Sequence, residues 1–395
     1  MSPIVRPDTS PAAAATTTRA RSTLRRRGGM LGAALLIGAV LTGCGSDDQP
    51  DAAAETTDDT SSAAASPSTG EGDGPGSTTA GADGPAADPA AEVAGIGSFA
   101  VGSLEVDVVD DSRPTNAWGG QEELPQRTLP TLVLYPAEGE VVTADGSDVA
   151  TPEATPDATP AEGPWPLVVF SHGRGGTGPA YVNTLRAWAS AGYVVLAPTF
   201  PLTSAETPER PNTDDLVNQP ADVSHLIDWA SDLPADSPLA GRVDAERVGL
   251  SGHSLGGFTS LAAAYNPKLR DDRVDAVAEW AGAYRGELAD GGAPVQDGPP
   301  LLAVHGDGDD TVPYEAAQNT VDAVGPPWEL VTLVGGEHIP PYVTGMADPY
   351  GAVVTETTLD FFDATLKDDP EGDDRLEAVV EEAGASVATL TGEED

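Results

Sequence analysis

Between about 98 and 366, short β-rich runs alternate with stretches of helical spacing. Residues 98–109, 130–135 (PTLVLY), 166–171 within PLVVFSHG (166–173), 193–198 (YVVLAP), 246–252 (ERVGLSG), 273–280 (RVDAVAEW), 300–306 (PLLAVHG) and 329–335 (ELVTLVG) read as strands. Several are short apolar runs of the kind that fills a strand buried on both faces. The stretches 179–191, 220–232, 255–265, 314–324 and 348–366 read as helices, with Val223, Leu226, Ile227 and Ala230 forming the apolar stripe of the second. Strands alternating with helices predict an α/β domain over 94–366, its mostly parallel sheet covered on both faces. The gaps 201–219 and 282–299 are too short to hold a cap domain.

The flanks follow other patterns. The one strongly apolar run, Met30 to Val40, has about 11 residues, against the about 20 needed to span a bilayer. Arg19, Arg21, Arg25, Arg26 and Arg27 precede it, and Leu41-Thr42-Gly43-Cys44 closes it. A positive segment, a short apolar segment and small residues make a secretory signal. The tetrapeptide LTGC resembles the bacterial lipoprotein box, which implies cleavage after residue 43 and a diacylglyceryl group on Cys44. The chain's single cysteine stands at the position that box requires; an ordinary signal peptide is the alternative. The Arg-Arg pair also suits a twin-arginine signal, but Gly28 and Gly29 replace the hydrophobic residues expected after it. Two or more acyl chains anchor a protein stably, so the expected location is extracytoplasmic, on the cell membrane. Residues 44–93 then read as a disordered acidic tether, since 45–93 hold eleven acidic residues and neither a basic nor an aromatic one. A second low-complexity piece, 137–164 with ATPEATPDATP (150–160), reads as a long surface loop, and 367–395 as an acidic tail with a short helical candidate around Leu376 to Val380.

Charge and cysteine content exclude several functions. The formal net charge is -45 with only 19 Lys and Arg, which excludes a nucleic-acid binder, because phosphate backbones are held by clustered cations. One cysteine excludes a disulfide scaffold and a multi-cysteine metal site. No metal or other cofactor is expected. The acidity itself reads most simply as solubility or salt tolerance.

The chemistry-bearing residues sit at strand ends. Gly252-His253-Ser254-Leu255-Gly256 follows a strand and opens a helix, the context in which G-x-S-x-G forms a nucleophile elbow. Glycines two residues before and after Ser254 let backbone pass closely, and the helix N-terminus favours a developing anion. A serine needs a base. Of five histidines, His253 lies inside the elbow and points the wrong way, His172 sits in SHGRGG, His305 ends a strand, and His225 lies on a helical stripe. His338, in Gly335-Gly336-Glu337-His338 just past the last strand, is the candidate base. A carboxylate must orient it. HGDGDDTVP (305–313) offers Asp307, Asp309 and Asp310, and Glu279 at the end of 273–280 is a rival.

These motifs resemble the α/β-hydrolase superfamily. The resemblance selects Asp309 through the pattern H-G-x-x-D-x-x-V-P, and the order Ser254, Asp309, His338 is that of the superfamily; some relatives take the acid from the strand where Glu279 stands. It also implies an oxyanion hole made by the backbone N–H groups of Arg174, in SHGRGG, and Leu255. Together FSHGRGG, VNQPADVSHLIDW (217–229), GHSLGG, DAVAEWAGA (275–283) and GGEHIPPY (335–342) are similar to bacterial platelet-activating-factor acetylhydrolase-like and dienelactone-hydrolase-like esterases. Two residues depart from them. Dienelactone hydrolases proper use a Cys nucleophile where Ser254 stands, and the acetylhydrolases have Asp where this chain has Glu279. Polyester hydrolases of the cutinase type share GHSxGG. The expected activity is cleavage of a small-molecule or lipid carboxylic ester by a serine hydrolase, with cutinase-like polyesterase, acetylhydrolase-like lipase and non-catalytic envelope lipoprotein as alternatives.

Overall fold

The computed structural model describes residues 97–143 and 152–393. The signal segment, Cys44 and the tether lie outside the described residues, all of which belong to the unit spanning Asp83–Asp395. In chain order this unit forms β1 (Ala100–Asp110), β2 (Arg127–Ala137), β3 (Ala154–Pro156), β4 (Trp165–Ser171), α1 (Val182–Ser190), β5 (Val194–Pro198), α2 (Gln219–Ser231), β6 (Val243–His253), α3 (Leu255–Tyr265), β7 (Val274–Trp280), β8 (Leu301–Gly306), α4 (Glu315–Val324), β9 (Trp328–Leu333), α5 (Pro340–Val343), α6 (Pro349–Leu366), α7 (Gly372–Ala383) and β10 (Ala388–Glu393).

The strands form one sheet in the order β10-β9-β8-β7-β6-β4-β5-β2-β1-β3. The six central strands, β5 to β9 in that row, are mutually parallel; β2 and β10 pair antiparallel at their flanks. Strand periodicity divides the core between two faces. Val168 and Phe170 of β4 pack with Trp188 of α1, Trp280, and Phe362 and Leu366 of α6. Leu167 and Val169 pack on the other face with Leu226 of α2, Leu261 of α3 and Val321 of α4. A sheet apolar on both faces and covered on both matches the expectation from the sequence. It also brings the carboxyl ends of β4, β6, β7, β8 and β9 to one edge, where α/β sheets place their sites.

The tail and the internal low-complexity piece differ from the sequence reading, although the helical candidate around Leu376 to Val380 is there as α7. The acidic tail is part of the domain up to 393. Leu376 and Val380, four residues apart, bury one stripe of α7 in the core, and Ala388 opens β10 against Leu333 of β9. Arg375 draws Asp360, Asp363 and Asp369 together on the outer side. The acidity belongs to the exposed face; Val379, Ala383, Val387 and Leu390 pack around the three buried residues. Likewise, 137–164 is not wholly a surface loop: β3, cut from the ATP-rich stretch, pairs parallel with β1 at the sheet edge, and Ala161 is buried.

One buried ionic cluster fixes the start of α2. Arg127, fully enclosed on β2, donates to Asp215 at 2.9 and 3.1 Å and to Asp222 at 2.6 and 2.7 Å. Removing one partner of such a pair strands a buried charge and costs about 3–5 kcal/mol. Beyond it, Gln219 donates to Thr203 and accepts from Thr259 of α3. This chain of contacts places the 201–212 loop beside the sheet edge that carries the site.

Candidate active site

Ser254 stands between β6 and α3 with φ 54° and ψ -116°. For a non-glycine residue this conformation costs about 1–3 kcal/mol and persists only where the surroundings enforce it. They do so here: a Cβ on Gly256 would overlap the Ser171 carbonyl, and one on Gly252 would overlap the Gly256 carbonyl. The Ser254 amide is held by the Trp280 carbonyl at 2.8 Å. Only glycine permits this crossing of β4, β6 and α3, and the crossing lifts the Ser254 hydroxyl onto the edge of the sheet.

His338 follows β9. Its Nε2 accepts from the Ser254 hydroxyl at 2.8 Å, and its Nδ1 donates to Asp309 Oδ2 at 2.6 Å. Asp309, buried after β8, uses its other oxygen to accept the Thr311 and Val312 amides, each at 2.8 Å. The carboxylate therefore has a fixed rotamer with Oδ2 turned to the imidazole, and His305 Nε2 stands 3.5 Å behind that oxygen. The other two aspartates of that loop do not reach the ring. Asp307 accepts the Gly335 amide and so tethers the histidine loop, and Asp310 is exposed.

Glu279, the rival acid, does not contact His338. It is fully buried beneath α3, where one oxygen accepts the Gly282 amide at 2.7 Å and the other has no partner. Burial pushes its carboxyl from 4.5 up to about 8, with the Gly282 amide opposing that rise. At neutral pH it is an uncharged acid bracing the turn after β7. The folded protein thus keeps this proton between about pH 4.5 and 8, where the unfolded chain has lost it. The stability it contributes is whole below that range, falls across it and is flat above it. Glu279→Gln removes the titration, so its denaturation midpoint should rise relative to the parent from pH 5 to pH 9. A midpoint difference that is the same at both pH values would contradict this assignment.

The amides on both sides of Arg174 are occupied: Gly173 donates to the Tyr181 hydroxyl and Gly175 to the Thr203 carbonyl at 2.7 Å. The Arg174 and Leu255 amides have no acceptor among the described residues. Leu255 opens α3, so its N–H is one of the donors a helix start leaves free. The Arg174 side chain is exposed.

The remaining histidines have structural partners. His172 bridges the Gly173 carbonyl and the Phe200 amide, and burial pushes its pKa down to about 4. His305, also buried, donates to the Val312 carbonyl at 2.8 Å behind Asp309. His225 bonds the Val109 carbonyl. His253 bridges Tyr181 and the His338 carbonyl. Nothing in the spacing of the sequence marks Tyr181 or Thr203: Tyr181 meets a backbone amide and His253, 72 positions away, and Thr203 meets a backbone amide and the side chain of Gln219 on another element. Beside Ser254, Leu255 forms an apolar cluster with Leu216 and Phe258, flanked by Ala283, Leu288 and Val312. Among the described residues no group of three or more His, Cys, Asp or Glu could hold a metal ion, and no helix is long and apolar enough to cross a membrane.

Comparison with known proteins agrees with this architecture. A family model described as Chlorophyllase matches residues 138–273, roughly a third of the chain. The match takes in SHGRGG and the serine elbow and ends before Asp309 and His338. No curated protein matches the sequence. Among solved structures, a ferulic acid esterase from Streptomyces cinnamoneus superposes with a TM-score of 0.55 at 22% identity, covering 72% of this chain and 93% of that one. The domain has the α/β-hydrolase fold.

Proposed function

We propose that the protein is a serine hydrolase of carboxylic esters. The observation that carries this reading is the unbroken hydrogen-bonded line Ser254–His338–Asp309, and the Arg174 and Leu255 amides, which have no acceptor among the described residues, are read as the oxyanion donors. Ser254 Oγ attacks the ester carbonyl while His338 Nε2 takes its proton. The carbonyl oxygen becomes an oxyanion received by the two amides, each such donor contributing about 10²–10³ in rate. His338 returns the proton to the departing alcohol and leaves an acyl group on Ser254. Water, deprotonated by the same ring, then releases the acid. Asp309 holds the ring with Nδ1 protonated and stabilises its cation. The similarity to the Chlorophyllase model and to the ferulic acid esterase supports ester bonds as the target. The apolar cluster around Leu255 and Phe258 suits an apolar acyl or alcohol group. The purified chain should hydrolyse a panel of p-nitrophenyl esters and be inactivated by a fluorophosphonate. A panel with no turnover above background would favour the non-catalytic alternative.

The same chain is read as a secreted lipoprotein anchored at Cys44 through an acidic tether, which holds the catalytic domain off the membrane. Support comes from the arginine-rich start, the short apolar run and LTGC. Cys44→Ser should move the protein from the membrane fraction to the soluble one, with kcat/KM on a soluble ester unchanged. A Cys44→Ser protein that still sediments with membranes would rule this anchor out.

A further inference from the structure

We propose that His253, the residue before the nucleophile, is a positioning residue that locks the oxyanion loop to the loop of the catalytic base. The inference rests on the ester-hydrolase reading above. Its starting point is a line of hydrogen bonds through the buried interior behind Ser254. The Gly173 amide meets the Tyr181 hydroxyl at 3.2 Å, that hydroxyl meets His253 Nδ1 at 2.9 Å, and His253 Nε2 meets the His338 carbonyl at 2.8 Å.

The two ends of the line dictate its direction. A backbone N–H can only donate and a backbone carbonyl can only accept. Gly173 N–H therefore donates to Tyr181 Oη, Tyr181 O–H donates to His253 Nδ1, and His253 Nε2–H donates to the His338 carbonyl. Every group in the middle gives one hydrogen and receives one. The neutral ring, protonated on Nε2, is the form that completes the line. A second N–H on the ring would face the Tyr181 oxygen and displace its own hydrogen. Burial holds the ring neutral, its pKa pushed down to about 3.

The surroundings leave this ring little freedom. Tyr342 stacks on it at 4.8 Å and 26°, and the Tyr342 hydroxyl accepts the Gly306 amide at 3.1 Å, where the Asp309 loop begins. A Cβ on Gly173 would stand 3.0 Å from His253 Nδ1, which gives that glycine of SHGRGG a reason beyond its own turn. One imidazole thus touches, directly or through a tyrosine, the loops that carry the oxyanion donor, the base and the acid. It fixes the His338 backbone while the side chain stays free to exchange protons with Ser254, and it fixes the amide next to Arg174. A phenylalanine could fill the same space without desolvating two nitrogens, so the polar ring is explained by what it holds.

The test uses the full chain and a soluble p-nitrophenyl ester. A displacement of about 1 Å at a reacting group costs about 10² in rate. His253→Phe should lower kcat by about that factor with KM within about threefold, the pattern of a defect in the chemical step and not in binding. His253→Gln, which keeps one donor and one acceptor, should recover at least about tenfold of the loss; Tyr181→Phe should lower kcat by about tenfold and add little in the His253→Phe background, because the line is already cut. Wild-type kcat in a folded His253→Phe, or losses that simply multiply in the double variant, would overturn the proposal. If His253→Phe fails to fold, Tyr181→Phe decides alone, since it removes one oxygen and no volume, and an unchanged kcat would overturn it. Labelling by a fluorophosphonate separates the two levels. A wild type that neither labels nor turns over overturns the hydrolase reading and this inference with it. Normal labelling beside a fully active His253→Phe overturns the inference alone.

Discussion

Ser254→Ala should abolish turnover while leaving the fold intact. Loss of the nucleophile from such a triad lowers kcat by about 10⁶-fold. The substitution removes one hydroxyl, which among the described residues bonds His338 Nε2 at 2.8 Å. Alanine inherits the same backbone strain at φ 54°, because that strain comes from Gly252, Gly256 and the Ser171 carbonyl and not from the hydroxyl. The melting temperature should therefore stay close to the parent's. Steady-state rates on an activated ester, with far-UV circular dichroism and a thermal melt on the same preparation, read both halves. A folded Ser254→Ala protein that hydrolyses the ester at the parental rate would end the proposed mechanism.

Asp309→Asn should lower kcat by about 10⁴-fold, the loss expected when the imidazole is held in the wrong tautomer. The local geometry enforces that outcome. The Thr311 and Val312 amides need an acceptor and will keep the asparagine oxygen. Its NH₂ group then faces His338 Nδ1, which must give up its hydrogen and place it on Nε2, pointing at Ser254. The ring can no longer take the serine's proton. Glu279→Gln, by contrast, should change kcat by less than about threefold, because Glu279 has no contact with the ring and is already uncharged at neutral pH. Parallel kinetics of the two variants distinguish the acids. A severe loss in Glu279→Gln with a mild one in Asp309→Asn would transfer the role to Glu279.

The parts legible in the sequence were those with a short-range signature. The six parallel strands stood out because they are buried on both faces and run apolar over several residues, as Leu167 to Phe170 and Leu301 to Val304 do. Ser254 stands out because G-x-S-x-G falls between a strand and a helix, and Asp309 and His338 because each follows a strand within a glycine-containing motif; the structure brings these three together at 2.6 and 2.8 Å. Choosing Asp309 over Asp307 and Asp310 needed the superfamily pattern; the fold shows the physical reason, that only its carboxylate is turned inward and held by two amides. What the sequence concealed depends on distant partners or on charge. The short helix around Leu376 to Val380 is legible, but not its burial, since two apolar residues among acidic neighbours do not reveal that they and Ala388 pack into the core. Arg127 finds Asp215 and Asp222 about 90 residues away. His253, next to Ser254 in sequence, turns its ring away from it; its partners are Tyr181 and a backbone carbonyl of the base loop.

In the proposed mechanism Ser254 is a nucleophile activated by His338. The most direct test of this role is to treat the purified protein with a fluorophosphonate, digest it and locate the adduct by mass spectrometry. A single phosphonyl group on Ser254, absent from His338→Ala treated for the same time, is the expected result. Labelling at another residue, or no adduct on a folded and otherwise intact protein, would contradict it.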